Sequence, residues 1–304
     1  MNVPLPTCVL ITPARNEEAY IELTLKSMVA QTVRPLKWVI VSDGSTDRTD
    51  EIVRKYTAEH DWIDLVRMPE RKERNFGGKV FSFNAGRERV KDLKYDIIGN
   101  LDADMSFERD LFEMLMRHFA ENPKLGVGGA PFTEGKGTYD FRYSSIEHVS
   151  GACQLFRREC FEDIGGYKPM KGGGIDVLAV LTARMKGWQT RTFPERVCFH
   201  HRSMGSAKDN PLAISFRLGQ KDYLLGRHPL WQLFRSIYQV TRPPLILGGF
   251  TLFAGYFWLA LKRVERLVPE DVVRFQRREQ MARLKNYFLR QPSAKNSAAV
   301  RNYA

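Results

Sequence analysis

The stretch from Tyr95 to Asp104, YDIIGNLDAD, decides how the rest of the chain is interpreted. Its first half has the apolar character of a buried strand, and its second half places Asp102 and Asp104 where that strand ends. Hard cations such as Mg²⁺ and Mn²⁺ take oxygen ligands, often one or two carboxylates, and add water and phosphate oxygens. The stretch therefore indicates a metal site for a phosphate-bearing substrate, although Asp-x-Asp in isolation is more often a solvated acidic turn.

Short apolar runs and helix-spaced segments alternate around this stretch. Residues 8–11 and 38–41 are continuous apolar runs, as in parallel strands covered on both faces. Apolar residues at helical spacing follow in four segments: 17–30, the residues after 47, 79–89 and 112–119. This alternation predicts an α/β fold with a doubly wound, mostly parallel sheet. In such a sheet the segments that follow the strands meet at one edge, so residues 13–18, 42–45 and 102–104 are expected to share a cleft.

Composition limits the classes of partner. The net charge of +12 and 43% hydrophobic residues indicate a folded protein with an anionic partner. Nucleic acid is disfavoured, because the chain lacks a recognition-helix pattern, zinc-finger spacing and an aromatic-basic motif. The four cysteines are scattered, so we expect neither a zinc site nor disulfides but a reducing cytosolic setting. The N-terminus lacks a basic start followed by an apolar run, so no secretory signal is expected.

Residues 243–261 form a run of 19 residues without charge, between Arg242 and Lys262-Arg263. The run is long enough to span a bilayer, but residues 262–304 carry eleven basic and four acidic residues, 11 − 4 = +7. A span would place this tail away from the cytosol, against the positive-inside rule. We therefore expect a re-entrant or surface-lying segment at the cytoplasmic face of the plasma membrane, in contact with anionic lipid. A core helix of a soluble domain is the alternative.

These motifs together resemble the family 2 glycosyltransferases, inverting nucleotide-sugar-dependent enzymes of the GT-A fold that assemble exopolysaccharides and other glycans. The resemblance covers roughly residues 7–205. The family's Pro-x-x-Asn-Glu stands complete as residues 13–17, and its Asp-Gly-Ser-x-Asp-x-Thr as residues 43–49. It implies a nucleotide-diphosphate sugar as the donor and a divalent cation, Mn²⁺ or Mg²⁺, as the cofactor.

The resemblance implies roles for residues on the donor side. Glu17 and Asp43 would hold the ribose and base of the donor, with Pro13 and Arg15 in the same binding segment. Residues 75–79 look like the family's Gly-Lys segment, in which Lys79 would face the nucleotide or its diphosphate. Read alone, Lys79 would more often be a solvated surface charge, and residues 43–45 would cap a helix.

The metal site is also implied by resemblance. Asp102 and Asp104 match the family motif in which the second carboxylate binds the ion and the first supports the ribose or a metal-bound water. A histidine completes the ligation, and His200 is the first choice over His201, which follows it. The diphosphate would be neutralised by one of two arginines, Arg202 or Arg217.

The acceptor side carries a departure from the family pattern. Residues 151–167 are similar to the acceptor stretch of many members, and Asp176 aligns with the family's general base. Ile175 stands where the family usually has glutamate. Processive synthases carry Gln-x-x-Arg-Trp, but the corresponding region here, residues 219–223, reads GQKDY. We therefore expect the addition of a single sugar.

These inferences predict a catalytic domain over residues 1–232, with a nucleotide-binding half at about 7–105 and an acceptor half at about 106–232. Residues 233–304 follow as a membrane-associated apolar segment and a basic helical tail. The predicted reaction transfers one sugar to an acceptor hydroxyl, carried on a lipid-linked glycan.

Three alternatives stay open. They are a polyprenyl-phosphate glycosyltransferase, a weakly catalytic membrane scaffold that Ile175 would support, and a nucleotidylyltransferase. The last would need a glycine-rich basic loop after the first strand, where this chain has residues 15–18, RNEE.

Overall fold

The computed structural model describes residues 4–70, 77–134, 145–170, 173–202, 210–242 and 244–289. Parts of the segments singled out in the sequence lie outside these ranges, namely residues 75–76, 172, 243 and 290–304. The chain divides after Arg202 into two compact units. This division comes earlier than the predicted domain boundary near residue 232, because the helices from residue 211 onward pack against one another.

The first unit alternates strands and helices, as the sequence predicts. Its strands are β1 Cys8–Ala14, β2 Lys37–Asp43, β3 Ile63–Met68, β4 Ile97–Leu101, β5 Met105–Ser106, β6 Leu125–Gly129, β7 Phe132–Thr133, β8 Cys153–Arg157, β9 Gln189–Thr192 and β10 Cys198–His200. Its helices are α1 Ile21–Val29, α2 Thr49–Glu59, α3 Gly78–Val90, α4 Leu111–Glu121, α5 Arg158–Asp163 and α6 Ile175–Met185.

Seven of these strands form one sheet, in the order β3-β2-β1-β4-β8-β6-β9. Among the described strands of this sheet, β8 runs antiparallel to its neighbours and the other pairs are parallel. Strands β1 and β2 are buried along most of their length, because helices cover both faces. The prediction of an α/β fold with a mostly parallel sheet is confirmed.

The glycine-rich region from residue 125 contains strand β6, which lies between β8 and the edge strand β9 and which the sequence pattern did not reveal. A Cβ atom on Gly129 would lie 2.2 Å from the carbonyl oxygen of Cys153, and one on Gly126 would lie 2.7 Å from Cys160 Sγ. Strand β6 is therefore rich in glycine because its neighbours leave no room for side chains.

A second, small sheet in the order β5-β10-β7 stands at the end of β4. Strand β5 begins one residue after Asp104, and in its antiparallel register with β10 Met105 lies opposite His200. This pairing brings the end of the Asp-x-Asp motif next to a histidine almost one hundred residues later in the chain.

The second unit is helical, with α7 Pro211–Leu224, α8 Pro229–Val240, α9 Leu245–Leu261 and α10 Glu270–Phe288. Glycines permit close backbone approach in it: a Cβ atom on Gly219 would lie 2.1 Å from Leu252 O, and one on Gly255 would lie 2.1 Å from Phe216 O. In the described part of the chain, no helix has both the length and the apolar character needed to cross a membrane.

Candidate active site

Asp102, Asp104 and His200 form an acidic cluster where β4 ends. One ligand atom from each lies within 4.8 Å of the others, and His200 Nε2 is 3.3 Å from Asp104 Oδ1. Asp104 and His200 are almost fully buried, whereas Asp102 is partly open to solvent. Two carboxylates and an imidazole fit a cation such as Mn²⁺. The structure thus brings the predicted ligands together, and metal binding itself stays a prediction.

The two adjacent histidines face different surroundings. His201 Nε2 lies 2.9 Å from Ser106 Oγ, and its ring stacks on Tyr20 with centroids 6.0 Å apart. Its backbone N–H donates to the carbonyl oxygen of Asp104 at 2.9 Å. The imidazole of His200 therefore belongs to the cluster, and that of His201 supports the neighbouring backbone and aromatic contacts.

Glu134, which sequence reasoning missed, completes the surroundings of His200. Its Oε1 atom lies 2.9 Å from His200 Nδ1, on the opposite side of the ring from Asp104. The hydrogen bond to Asp104 raises the pKa of His200 to about 8, with Glu134 adding to the rise and burial opposing it. Sequence reasoning missed Glu134 because its closeness to His200 depends on the pairing of β7 with β10 and not on a local motif.

Arg202 and Glu17 lie beside the cluster as an ion pair. Arg202 Nη2 donates to Glu17 Oε2 at 2.5 Å, and Arg202 Nε is 3.8 Å from Asp104 Oδ2. Burial raises the pKa of Glu17 to about 7, and the positive charge of Arg202 opposes that rise. Arg202 therefore brings positive charge to the carboxylates, at the place predicted for a group that neutralises a diphosphate.

The segments after β1 and β2 are fastened together by hydrogen bonds. The backbone N–H of Glu17 donates to Thr49 Oγ1 at 2.7 Å, and that of Glu18 donates to Asp47 Oδ2 at 3.0 Å. Asn16, at a φ of 55°, accepts a bond from the N–H of Thr46 at 2.9 Å. The later residues of the Asp-Gly-Ser-x-Asp-x-Thr motif thus fix the backbone that presents Glu17.

The other predicted donor-side residues lie along the same edge. Pro13 is in β1, opposite Val41 of β2, and Arg15 follows that strand directly. Asp43 is the last residue of β2 and is buried. Gly44 follows at a φ of +64°, where a Cβ atom would lie 2.6 Å from Glu70 Cα. The chain can turn here only with glycine, so Asp43 is held at the sheet edge.

Lys79 extends from the start of α3 to the acidic cluster. Its Nζ atom donates to Asp102 Oδ1 at 2.5 Å and to the carbonyl oxygen of Gly151 at 3.4 Å. Asn100 Nδ2 donates to the same Asp102 oxygen at 3.1 Å. The ammonium group is therefore part of the site and is not a solvated surface charge.

Asp176 is connected to Lys79 and Asp102 by hydrogen bonds through the backbone of Gly151. It stands in the first turn of α6, and its Oδ2 atom accepts from the N–H of Gly151 at 3.2 Å. The carbonyl of that glycine accepts from Lys79, so Gly151 lies between Asp176 and the partners of Asp102. The side chain of Ile175 is buried. The structure therefore brings the predicted base near the predicted metal ligands, and its role in proton transfer stays a prediction.

Comparison with known proteins gives both family and fold. A sequence model of the family described as Glycosyl transferase family 2 matches residues 9–162. Poly-beta-1,6-N-acetyl-D-glucosamine synthase of Staphylococcus aureus strain COL is 26% identical over 204 residues, which cover 60% of this chain and 47% of that protein. The enzyme of the same name from Staphylococcus epidermidis is 28% identical over 172 residues, covering 49% and 39%. The chain thus spans about half the length or less of these relatives.

Two solved structures share the fold. Mannosyltransferase PcManGT from Pyrobaculum calidifontis, in complex with GDP-Man and Mn²⁺, superposes with a TM-score of 0.56 at 21% identity, covering 98% of this chain and 79% of its own. TarS of S. aureus, in complex with UDP-GlcNAc, gives 0.52 at 14% identity, covering 83% and 71%. At these identities the likeness shows a common architecture.

Proposed function

The chain belongs to glycosyl transferase family 2 and is a glycosyltransferase, and from that premise we propose that it transfers one sugar from a nucleotide-diphosphate sugar to an acceptor hydroxyl, with inversion. The observation that carries the proposal is the cluster of Asp102, Asp104 and His200 close to Asp176. The two solved structures of this fold hold nucleotide sugars, and one also holds Mn²⁺.

The chain's own groups divide the work of such a transfer. Asp102, Asp104 and His200 would hold Mn²⁺ or Mg²⁺, which stabilises negative charge on a departing diphosphate. Arg202 and Lys79 add positive charge beside these carboxylates. Glu17 and Asp43 offer carboxylate oxygens to hydroxyl and ring N–H donors of a nucleoside. Asp176 accepts the proton of the acceptor hydroxyl as general base.

Replacement of Asp176 tests the assignment of the base. Asp176→Asn keeps the shape and the acceptor for Gly151 N–H but cannot take a proton, so transfer should fall at least about 10²-fold. Affinity for the nucleotide diphosphate should be unchanged. Asp163→Asn is the matched control, because Asp163 pairs with Lys186 and Trp188 outside the site. Transfer within about tenfold of wild type would contradict the base assignment and favour an acceptor that is already an anion, as in a polyprenyl-phosphate glycosyltransferase.

The second unit exposes apolar side chains in a pattern that favours a lipid surface. Leu247, Phe250, Trp258 and Leu261 follow one another at helical spacing along α9, with exposed fractions of 60%, 67%, 50% and 81%. The opposite side of the helix, with Gly248, Gly249 and Gly255 among its members, is buried. Contiguous apolar surface of this kind marks a docking site in proteins that function in water.

Basic and aromatic groups frame this apolar face of α9. Lys262 Nζ lies 4.3 Å from the centre of the Trp258 ring, and the Arg242 guanidinium lies 4.5 Å from that of Tyr238. Aromatic rings beside basic groups are typical of the membrane interface, and each basic residue near an anionic leaflet gains about 1 kcal/mol. We therefore propose that the face rests on the cytoplasmic leaflet of the plasma membrane, where a lipid-linked glycan serves as acceptor.

Vesicle sedimentation of the full chain tests the lipid surface. Binding is expected to vesicles that contain phosphatidylglycerol, to decrease with salt, and to weaken in Phe250→Glu. Leu36→Glu is the matched control, since Leu36 is 48% exposed in the first unit. No binding to anionic vesicles, or equal binding by Phe250→Glu and wild type, would contradict the proposal. A dimer that Phe250→Glu dissociates would instead identify the face as a protein interface.

A further inference from the structure

We propose that Glu134 is a positioning residue for the metal-binding histidine: by accepting a hydrogen bond from His200 Nδ1, it holds the lone pair of Nε2 toward Asp104. The proposal rests on the metal use proposed above. A carboxylate can only accept, and a neutral imidazole carries one N–H. Carboxylates face both ring nitrogens, but Glu134 Oε1 is 2.9 Å from Nδ1 whereas Asp104 Oδ1 is 3.3 Å from Nε2, so the shorter contact favours the N–H on Nδ1.

On the opposite side of the ring, this tautomer leaves Nε2 with a lone pair that can bind a metal ion. His200 Nε2 lies 3.3 Å from Asp104 Oδ1. With Nδ1 carrying the proton, Nε2 and the carboxylate oxygen are two acceptors that face each other in a nearly buried site. Their repulsion is relieved by a proton on Nε2 in the metal-free protein, or by a cation that interacts with both atoms and displaces that proton. Glu134 thus selects the form of His200 that can act as a ligand alongside Asp104.

The backbone explains why Glu134 is correctly placed. Strand β7 ends at Thr133, which lies opposite Phe199 in the parallel pairing of β7 with β10. Glu134 and His200 are the next residues of their chains. The ring of Phe132 packs against His200 with centroids 5.3 Å apart, so the imidazole is held from a second direction. The small sheet therefore positions both the histidine and its partner.

Three variants separate positioning from a merely structural role. Outer partners of metal-bound histidines typically contribute 10–100-fold to metal affinity, so Glu134→Ala should weaken Mn²⁺ binding by about that factor. Glu134→Gln should lie between wild type and Glu134→Ala, because its amide oxygen can still accept from Nδ1. Glu195→Ala is the matched control, since Glu195 lies 3.4 Å from His118 in another Glu–His pair.

Calorimetry with Mn²⁺ alone, on the full chain, gives the readout, and thermal unfolding in EDTA reports structural effects. If Glu134→Ala binds Mn²⁺ as wild type does while Asp104→Ala does not, the positioning role is overturned and the metal site stands. If Glu134→Gln is no better than Glu134→Ala, selection of the tautomer through an accepted hydrogen bond is contradicted. If wild type itself does not bind Mn²⁺, the proposed metal use fails together with this inference.

Discussion

His200 and His201 differ in what their side chains contact, and this difference predicts different consequences of their removal. His200 faces Asp104 and Glu134, whereas His201 contacts Ser106 and Tyr20. His200→Ala should weaken Mn²⁺ binding at least about 100-fold, the upper end of the loss seen for outer partners. His201→Ala should leave Mn²⁺ affinity nearly unchanged. Calorimetry with Mn²⁺ checks both, and a loss of similar size in His201→Ala would contradict the assignment.

The raised pKa of Glu17 predicts that the free energy of unfolding decreases as the pH rises. Its pKa is raised from 4.5 to about 7, first by burial, so the folded protein holds this proton more tightly than the unfolded chain. Stability from this group is fully present below about pH 4.5 and is lost as pH rises to about 7. The loss is at most about 3 kcal/mol, since one pKa unit corresponds to 1.36 kcal/mol. Sites that bury charge for function commonly lower stability in this way.

Glu17→Gln removes the titrating group while keeping its shape. We expect the variant to be more stable than wild type above pH 7 in the absence of metal, with the difference shrinking toward pH 4.5. Urea unfolding in EDTA at several pH values measures this. A variant that is less stable than wild type at pH 8 would show that the ion pair with Arg202 outweighs burial.

At the scale of helices, glycine in the second unit is required by packing. A Cβ atom on Gly255 would lie 2.1 Å from Phe216 O, so Gly255→Ala must push α9 away from α7 although alanine favours helix. We expect a loss of about 1–3 kcal/mol or more, as for other overpacked sites. Ala254→Gly, at the neighbouring position, should cost only about 1 kcal/mol in helix propensity. Thermal unfolding compares the two variants, and a Gly255→Ala protein as stable as wild type would refute the close contact.

The sequence predicted those elements and site residues whose signals are local. The run before Asp102 forms β4, and the segments after β1, β2 and β4 meet at one sheet edge as topology requires. Strand β6 was missed because three of its five residues are glycines, which leaves too few apolar side chains for a hydrophobic pattern. Glu134 was missed because its role depends on the pairing of β7 with β10. The contribution of Asp47 and Thr49 to loop structure likewise depends on contacts across about thirty residues.

For the whole molecule, the net charge of +12 admitted several anionic partners, and the structure gives four of the basic side chains specific settings. Lys79 and Arg202 lie among the carboxylates of the first unit, where a diphosphate would add negative charge. Arg242 and Lys262 lie beside the aromatic rings that frame the apolar face of the second unit. The basic character thus supports two proposals, donor binding and lipid binding, that separate experiments test.

Release of nucleoside diphosphate by the purified full chain, measured over a panel of UDP- and GDP-sugars with Mn²⁺, tests the central claim most directly. We predict release from at least one of these donors, abolished by EDTA and by Asp104→Ala, and no pyrophosphate from a nucleoside triphosphate and a sugar phosphate. Release that persists in EDTA would contradict the metal assignment. Pyrophosphate formation would identify a nucleotidylyltransferase, and a folded protein that binds donors without cleaving any would identify a scaffold that has kept the fold and lost the reaction.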